Sequence, residues 1–300
     1  MVVLSREKPI NTIGSYLKDR FGIKVVKLAL DGGFTCPNRD GSKGTGGCLF
    51  CSDTGSGDTA GDIQSQIKLL SDKWPSAKYI AYLQNHTNTY APADKLRRVY
   101  EDALTGHPDI VGLAVATRPD CLSDEVLDVL DEFNRKTFMW VELGLQTIHE
   151  QTASAMNRCY GLSAFDEAVS ALSQRNIRSV IHLIFGLPGE TRDMMLDSVR
   201  YVCSGDIFGL KMHLLNVVKN SALGREHPDY VPFDSMDEYI NLVCDALEII
   251  PPDITIHRMT GDAPRPILIS PEWSYKKRSI LNGIHLELHR RKTWQGINAE

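Results

Sequence analysis

Three cysteines constrain this chain more than any other feature. Cys36, Cys48 and Cys51 stand in Cys-Pro-Asn-Arg-Asp-Gly-Ser-Lys-Gly-Thr-Gly-Gly-Cys-Leu-Phe-Cys, directly after the first strand-like run at 23–30. Glycines suit a loop that wraps a bulky inorganic core and turns backbone N–H groups toward it. A cubane iron–sulfur cluster has four irons, so three thiolates leave one iron open to a small chelating molecule. Zinc is the main alternative, because Cys-x2-Cys is also a zinc hairpin. A closed zinc site needs a fourth ligand, no second paired motif follows, and His86 would serve only if the fold brought it there. A thioredoxin-like dithiol explains Cys48 and Cys51 but leaves Cys36 idle. The cysteines alone leave all three readings open.

Composition bounds the rest. Three hundred residues with 42% hydrophobic content support one large domain or two modest ones. A net charge of −5 and a pI near 6.0 give no global attraction to nucleic acid. No apolar run approaches the roughly 18 residues of a membrane span. The start, Met-Val-Val-Leu-Ser-Arg-Glu-Lys-Pro, lacks the basic head and apolar core of a signal peptide. Seven cysteines, an odd number, fit reduced cytoplasmic thiols better than a disulfide framework. Cys121, Cys159, Cys203 and Cys244 are scattered singly, and the last two lie in helical patterns where they pack as small apolar groups. The expectation is a cytoplasmic protein without membrane attachment.

Apolar, often β-branched runs recur at 23–30, 78–83, 110–116, 138–145, 178–185 and 207–218, with helical spacing between them, as at 122–133 and 163–174. Ser123 before Asp124 and Glu125 reads as a helix start. Strands alternating with helices imply a parallel sheet covered on its faces. Six units predict an α/β fold, a (β/α)6 partial TIM barrel spanning 23–220. An N-terminal extension (1–22) and a C-terminal extension (221–300) pack on this core in one domain; a doubly wound open sheet is the alternative. In such barrels chemistry gathers where strands end. The unusual polar residues fall there: the cysteine loop, Gln84 to Tyr90, Thr117 to Asp120, Glu142 with Gln146, Gly186 to Thr191, and Lys211 with His213.

These motifs resemble the radical S-adenosylmethionine (radical SAM) superfamily. More narrowly they are similar to the branch of the elongator catalytic subunit and oxygen-independent coproporphyrinogen oxidase, and to a YhcC/YtqA-type subgroup. The stretches that carry the likeness are Leu30 to Gly41, Thr87 to Pro92, Ala116 to Asp120, Glu142 to Gln146 and Arg258 to Pro264. The superfamily's usual Cys-x3-Cys-x2-Cys is stretched here to eleven residues between the first two cysteines. The resemblance implies a [4Fe–4S] cluster on Cys36, Cys48 and Cys51, with S-adenosylmethionine chelated at the fourth iron and cleaved to a 5′-deoxyadenosyl radical. It implies cofactor contacts from Phe50 (against adenine), Thr87 and Asn88 (after strand two, Asn88 replacing a glycine), and Arg118. Glu142 and Gln146 would hold ribose and amine, with Arg158 and the backbone at Gly186 nearby. Relatives carry Asn-Arg-Gly-His where this chain has Asn157-Arg158-Cys159-Tyr160, so the usual histidine's role is missing. Lys211, His213 and Lys219 face the substrate side on this reading.

The stretch 271–300 sets six basic residues against three acidic ones, interleaved with Trp273, Tyr275 and Trp294. Such a segment is either an RNA-facing edge or an amphipathic helix covering the barrel. The elongator relative modifies the wobble uridine of tRNA, which favours RNA; no acetyltransferase domain follows, so the same reaction is not expected. No second cysteine triplet stands in the sequence, which argues against methylthiolation. The expectation is an enzyme acting on tRNA, on the side chain of an already modified wobble uridine, with ferredoxin or flavodoxin as electron donor. The alternatives are a small-metabolite enzyme and a non-catalytic zinc- or cluster-containing RNA-binding protein.

Overall fold

Every one of the six apolar runs becomes a strand of one parallel sheet. The strands are β1 (Val25–Leu30), β2 (Lys78–Leu83), β3 (Ile110–Thr117), β4 (Phe138–Gln146), β5 (Arg178–Phe185) and β6 (Gly209–Leu214). The computed structural model describes residues 4–53, 55 and 59–299. Residues 1–3 of the N-terminal stretch, and Glu300 of the basic tail, lie outside these. The run at 207–218 breaks in two. Leu215 N–H still bonds Phe185 O, and then Asn216 turns away to hold Ser274 and Ala263. The remainder, β7 (Val217–Val218), pairs antiparallel with β9 (Leu268–Ser270).

A seventh parallel strand, β8 (Thr255–Arg258), adds beside β6, so the order is β1-β2-β3-β4-β5-β6-β8. Sequence reading missed it because four residues ending in His257 and Arg258 make no apolar run. The architecture is therefore the expected partial barrel with one strand more. Helices α1 (Ile13–Phe21), α2 (Ile63–Ser71), α3 (Ala93–Thr105), α4 (Asp124–Lys136), α5 (Glu150–Ala155), α6 (Leu162–Gln174), α7 (Arg192–Cys203), α8 (Ala222–Glu226), α9 (Met236–Ile249) and α10 (Lys277–Arg291) complete the chain.

Alternation along each strand divides the core in two. On the outer face Leu28, Leu83, Leu113, Val141 and Leu183 pack under the helices. The inner face at the strands' N-terminal end is apolar too. There Val25, Ile80, Ala114, Phe138, Trp140 and Val180 meet Leu17 of α1, with Tyr16, Phe21 and Phe208 around them. Helix α1 packs against both edge strands, β1 and β8, and so plugs that end of the barrel. What remains open is the C-terminal end, where the strands deliver their polar residues.

α10 carries much of the basic tail. Ile280, Ile284 and Leu288 are buried, and the helix packs along α9. Its basic residues are largely partnered: Arg290 with Glu287, Arg291 with Glu287, Asp245 and Glu248, and Lys277 with Asp262. One side of the helix thus covers α9.

Candidate active site

The cysteine loop leaves β1 at the open end. Asn38 is its fully buried centre: its side-chain N–H groups reach Asn157 O at 2.5 Å and Cys48 Sγ at 3.6 Å, and its backbone carbonyl accepts Gly47 N–H at 2.8 Å. Gly46 and Gly47 have φ of 78° and 76°, a left-handed pair that returns the chain to Cys48. Cys51 N–H bonds Cys48 O at 3.0 Å, so the last two cysteines form one tight turn. All three thiols are half-buried. The hydrogen bond with Cys51, followed by burial, holds the Cys48 thiol well above its usual value. Such a pair becomes thiolate when a metal supplies the positive charge. Among the described residues no three Cys, His, Asp or Glu side chains converge on one ion. A cubane binds each thiolate through a different iron, so it requires no such convergence. The donor set fits that cluster. His86 packs against Gly55.

The loop after α5 clamps this one. Asn157, in left-handed conformation (φ 54°), donates to Thr45 O and Gly47 O at 3.0 and 2.8 Å, while Leu49 N–H bonds Met156 O. Arg158 is 1% exposed and donates to the carbonyls of Leu145, Thr147 and Tyr160. Arg118 forks onto Asp120 at 2.9 and 3.0 Å and also reaches Arg158 O. The Tyr160 ring lies near both guanidinium groups, 4.8 Å from Arg118 and 4.6 Å from Arg158. Its hydroxyl bonds Gly144 O and the Gln146 amide. Both arginines expected at the cofactor are thus engaged with protein groups.

Thr87 and Asn88 sit buried where β2 ends. The Asn88 amide donates to the carbonyls of Leu83, Asn85 and Ala116 at 2.9 to 3.1 Å, tying the ends of β2 and β3, while its own oxygen is buried without a partner. At Gly186 φ is 90° and a Cβ would meet Phe233 and Pro232 at 2.7 Å, so only glycine fits. Its carbonyl takes the Tyr230 hydroxyl at 2.9 Å. Phe50 packs on a small apolar cluster with Met156, Leu187 and Leu223, beside a cavity of about 520 Å³ that is open to solvent.

Glu142 is placed differently from Gln146. Gln146 stands at the end of β4 with φ 68°, whereas Glu142 is wholly buried midway down the lumen. Its oxygens bond Lys211, His182 Nε2 at 2.9 Å and Trp140 Nε1 at 2.9 Å, and Lys27 Nζ lies 3.7 Å away. Burial alone would raise this carboxyl; Lys211 and Lys27, with the His182 hydrogen bond, hold it well below the carboxylate range instead. Lys211 also bonds the Tyr82 hydroxyl at 3.1 Å. His213 lines the same face, its ring 5.0 Å from that of His182. Lys219 is exposed, bonded to Pro266 O away from the lumen. Sequence reading missed Lys27, Tyr82, His182 and Arg258. The signal was present as polar residues of one parity inside apolar strands.

Comparisons with known proteins give the family and the fold. A family model described as the Radical SAM superfamily matches residues 41–202, more than half of the chain, and one for the Radical_SAM C-terminal domain matches 207–290. The chain belongs to the radical SAM superfamily. YtqA of Bacillus subtilis is 46% identical over 299 residues, covering 97% of this chain and 92% of that protein. The tRNA uridine(34) acetyltransferase of Dehalococcoides mccartyi is 28% identical over 160 residues, 51% of this chain and 34% of that protein. In fold, the archaeal Methanocaldococcus infernus Elp3 superposes with a TM-score of 0.67 at 16% identity, over 90% of this chain and 64% of that one. This radical SAM chain is an enzyme of the superfamily. Members generally bind a [4Fe–4S] cluster and S-adenosylmethionine, and no described helix is long and apolar enough to cross a membrane.

Proposed function

We propose that this radical SAM enzyme holds a [4Fe–4S] cluster on Cys36, Cys48 and Cys51, binds S-adenosylmethionine beside it, and modifies a tRNA. When bound, the cluster and cofactor supply an electron and a 5′-deoxyadenosyl radical that removes a substrate hydrogen. The observation that carries this reading is the three-thiol loop at the open end of the barrel, on a chain of this family. The protein's part is positional. Asn38 and Asn157 fix the loop, Gln146 offers its amide to the cofactor's polar end, Phe50 offers an apolar surface, and Gly186 admits close backbone packing. Thr87 stands beside Asn88 at the same mouth. Glu142 does not reach the cofactor, because its oxygens are already taken in the lumen. Arg118 and Arg158 act by holding Asp120, Tyr160 and the strand ends in place. The plugged N-terminal end keeps water from the chamber floor.

The likeness to the tRNA uridine(34) acetyltransferase, short as it is, supports tRNA as substrate, and a ferredoxin or flavodoxin would deliver the electron in the cytoplasm. A second reading, a small metabolite, is favoured by the neutralised basic residues of α10. Anaerobic reconstitution, dithionite and S-adenosylmethionine test the chemistry: 5′-deoxyadenosine forms, and Cys48→Ala abolishes both colour and product. A colourless protein holding one zinc would overturn it. Modified nucleosides of tRNA from cells with and without the gene decide the substrate; an unchanged profile leaves the metabolite.

A further inference from the structure

Midway down the lumen lies a layer of charge that the cofactor chemistry leaves unused. Three cations face it: Lys27 from β1, Lys211 from β6 and Arg258 from β8. Against them stand Glu142 and, bonding Arg258 at 3.2 Å, Asp262. Asp262 is half exposed and shared with Lys277 at 2.9 Å. Cations therefore exceed carboxylates inside the barrel. Lys211 is fixed between Glu142 and Tyr82 and buried, so it has no freedom to meet a ligand. Lys27 has that freedom. Its nitrogen is 3.7 Å from Glu142, longer than a good hydrogen bond, and its side chain is 25% exposed. Above it, His182 is 18% exposed, and the buried Nε2 of His213 has no partner.

A buried ring nitrogen without a partner has lost its hydrogen bonds to water, and in a low-dielectric lumen the Lys27 charge, without a close carboxylate of its own, is repelled by the two paired cations beside it. Both defects are relieved by one thing, an acceptor oxygen carrying negative charge. We propose that this layer anchors the substrate through an anionic group, a carboxylate or a phosphate, held between Lys27, Arg258 and His213. The inference rests on the reading of the lumen as the reaction chamber of this enzyme and adds the charge class of what enters it. Burial, against the pull of Glu142 and with the Arg258 charge beside it, lowers the Lys27 ammonium, and burial followed by Arg258 lowers His213 well below its ordinary value. Both groups shift the other way when an anion arrives. Tyr82 and His257, which complete the layer, are a neutral phenol and a ring bonded to Thr255.

The test uses the full-length protein under anaerobic conditions, without and with reconstituted cluster. Inorganic phosphate and succinate are titrated separately at constant ionic strength while the histidine ring nitrogens are followed by NMR. The expected result is a saturable shift of two signals that His182→Gln and His213→Gln assign by deletion. The apparent Kd rises about tenfold or more in Lys27→Met, the loss of one ion pair, and returns to within about threefold in Lys27→Arg. Response to phosphate alone identifies a phosphoryl group, response to succinate alone a carboxylate, and either upholds the proposal. A response that does not saturate, or that is equal in Lys27→Met, overturns it. So does one that S-adenosylmethionine abolishes, since the layer would then hold the cofactor's own carboxylate. Because binding is read without the cluster, failure of the radical chemistry leaves this result intact, and the reverse also holds.

Discussion

Glu142 shows what a single residue can mean once its neighbours are known. In sequence it is the acidic member of a Glu-Leu-Gly-Leu-Gln motif at a strand end; in the fold it is, among the described residues, the only carboxylate directly bonding Lys211 and His182, and it is itself wholly buried. Removing one partner of a buried ion pair leaves the other charge uncompensated, which costs about 3–5 kcal/mol. Glu142→Gln is therefore expected to lower the denaturant midpoint by that much free energy. Glu142→Gln combined with Lys211→Met should recover a large part of it. A loss below about 1 kcal/mol would mean that water reaches the pair. Cofactor binding, read as S-adenosylmethionine affinity in folded protein, should suffer more from Gln146→Ala than from this change.

At the scale of elements, the loop 157–160 explains how a glycine-rich segment keeps its shape. Asn157 supplies two hydrogen bonds to the cysteine loop and accepts a third from Asn38 through its carbonyl. Asn157→Gly keeps the left-handed backbone and deletes only the amide. The two lost bonds are worth about 1–3 kcal/mol, enough for roughly tenfold weaker retention of iron against a chelator. Far-UV circular dichroism should stay unchanged; equal iron retention would show that the cysteines need no such clamp. The strands and helices were largely legible, because long apolar runs and the Ser123-Asp124-Glu125 start depend on local pattern. β8 was not, since a strand of four residues draws its identity from its neighbours. Nor was the lumen network: the sequence displays Lys27, His182 and Arg258 as isolated polar residues, and only the curl of the sheet brings them together. The same holds for Arg118 and Arg158, whose partners lie in loops far apart in sequence.

Across the whole molecule the lumen layer ties β1, β2, β4, β5, β6 and β8 into one titrating unit, and it gives the fold a characteristic response to acid. Burial pulls the His182 imidazole down to about 4 from 6.5, with the Lys211 charge adding to the effect, and burial also drives His257 well below its ordinary value, as it does His213. Between pH 6.5 and about 4 the unfolded chain therefore takes up protons that the native histidines refuse. Stability conferred by these neutral rings is complete above pH 6.5 and falls as the pH drops. Each such ring contributes a slope of about 1.4 kcal/mol per pH unit. The depressed Glu142 carboxyl acts in the same direction below about 4.5, because its ionised form belongs to the native state. Urea unfolding at a series of pH values should show the midpoint declining steadily from pH 6.5 to 4.5, and His182→Gln should reduce the slope by about one proton. A midpoint that stays level over that interval would mean that the rings already carry protons in the native barrel, with solvent filling the lumen around them.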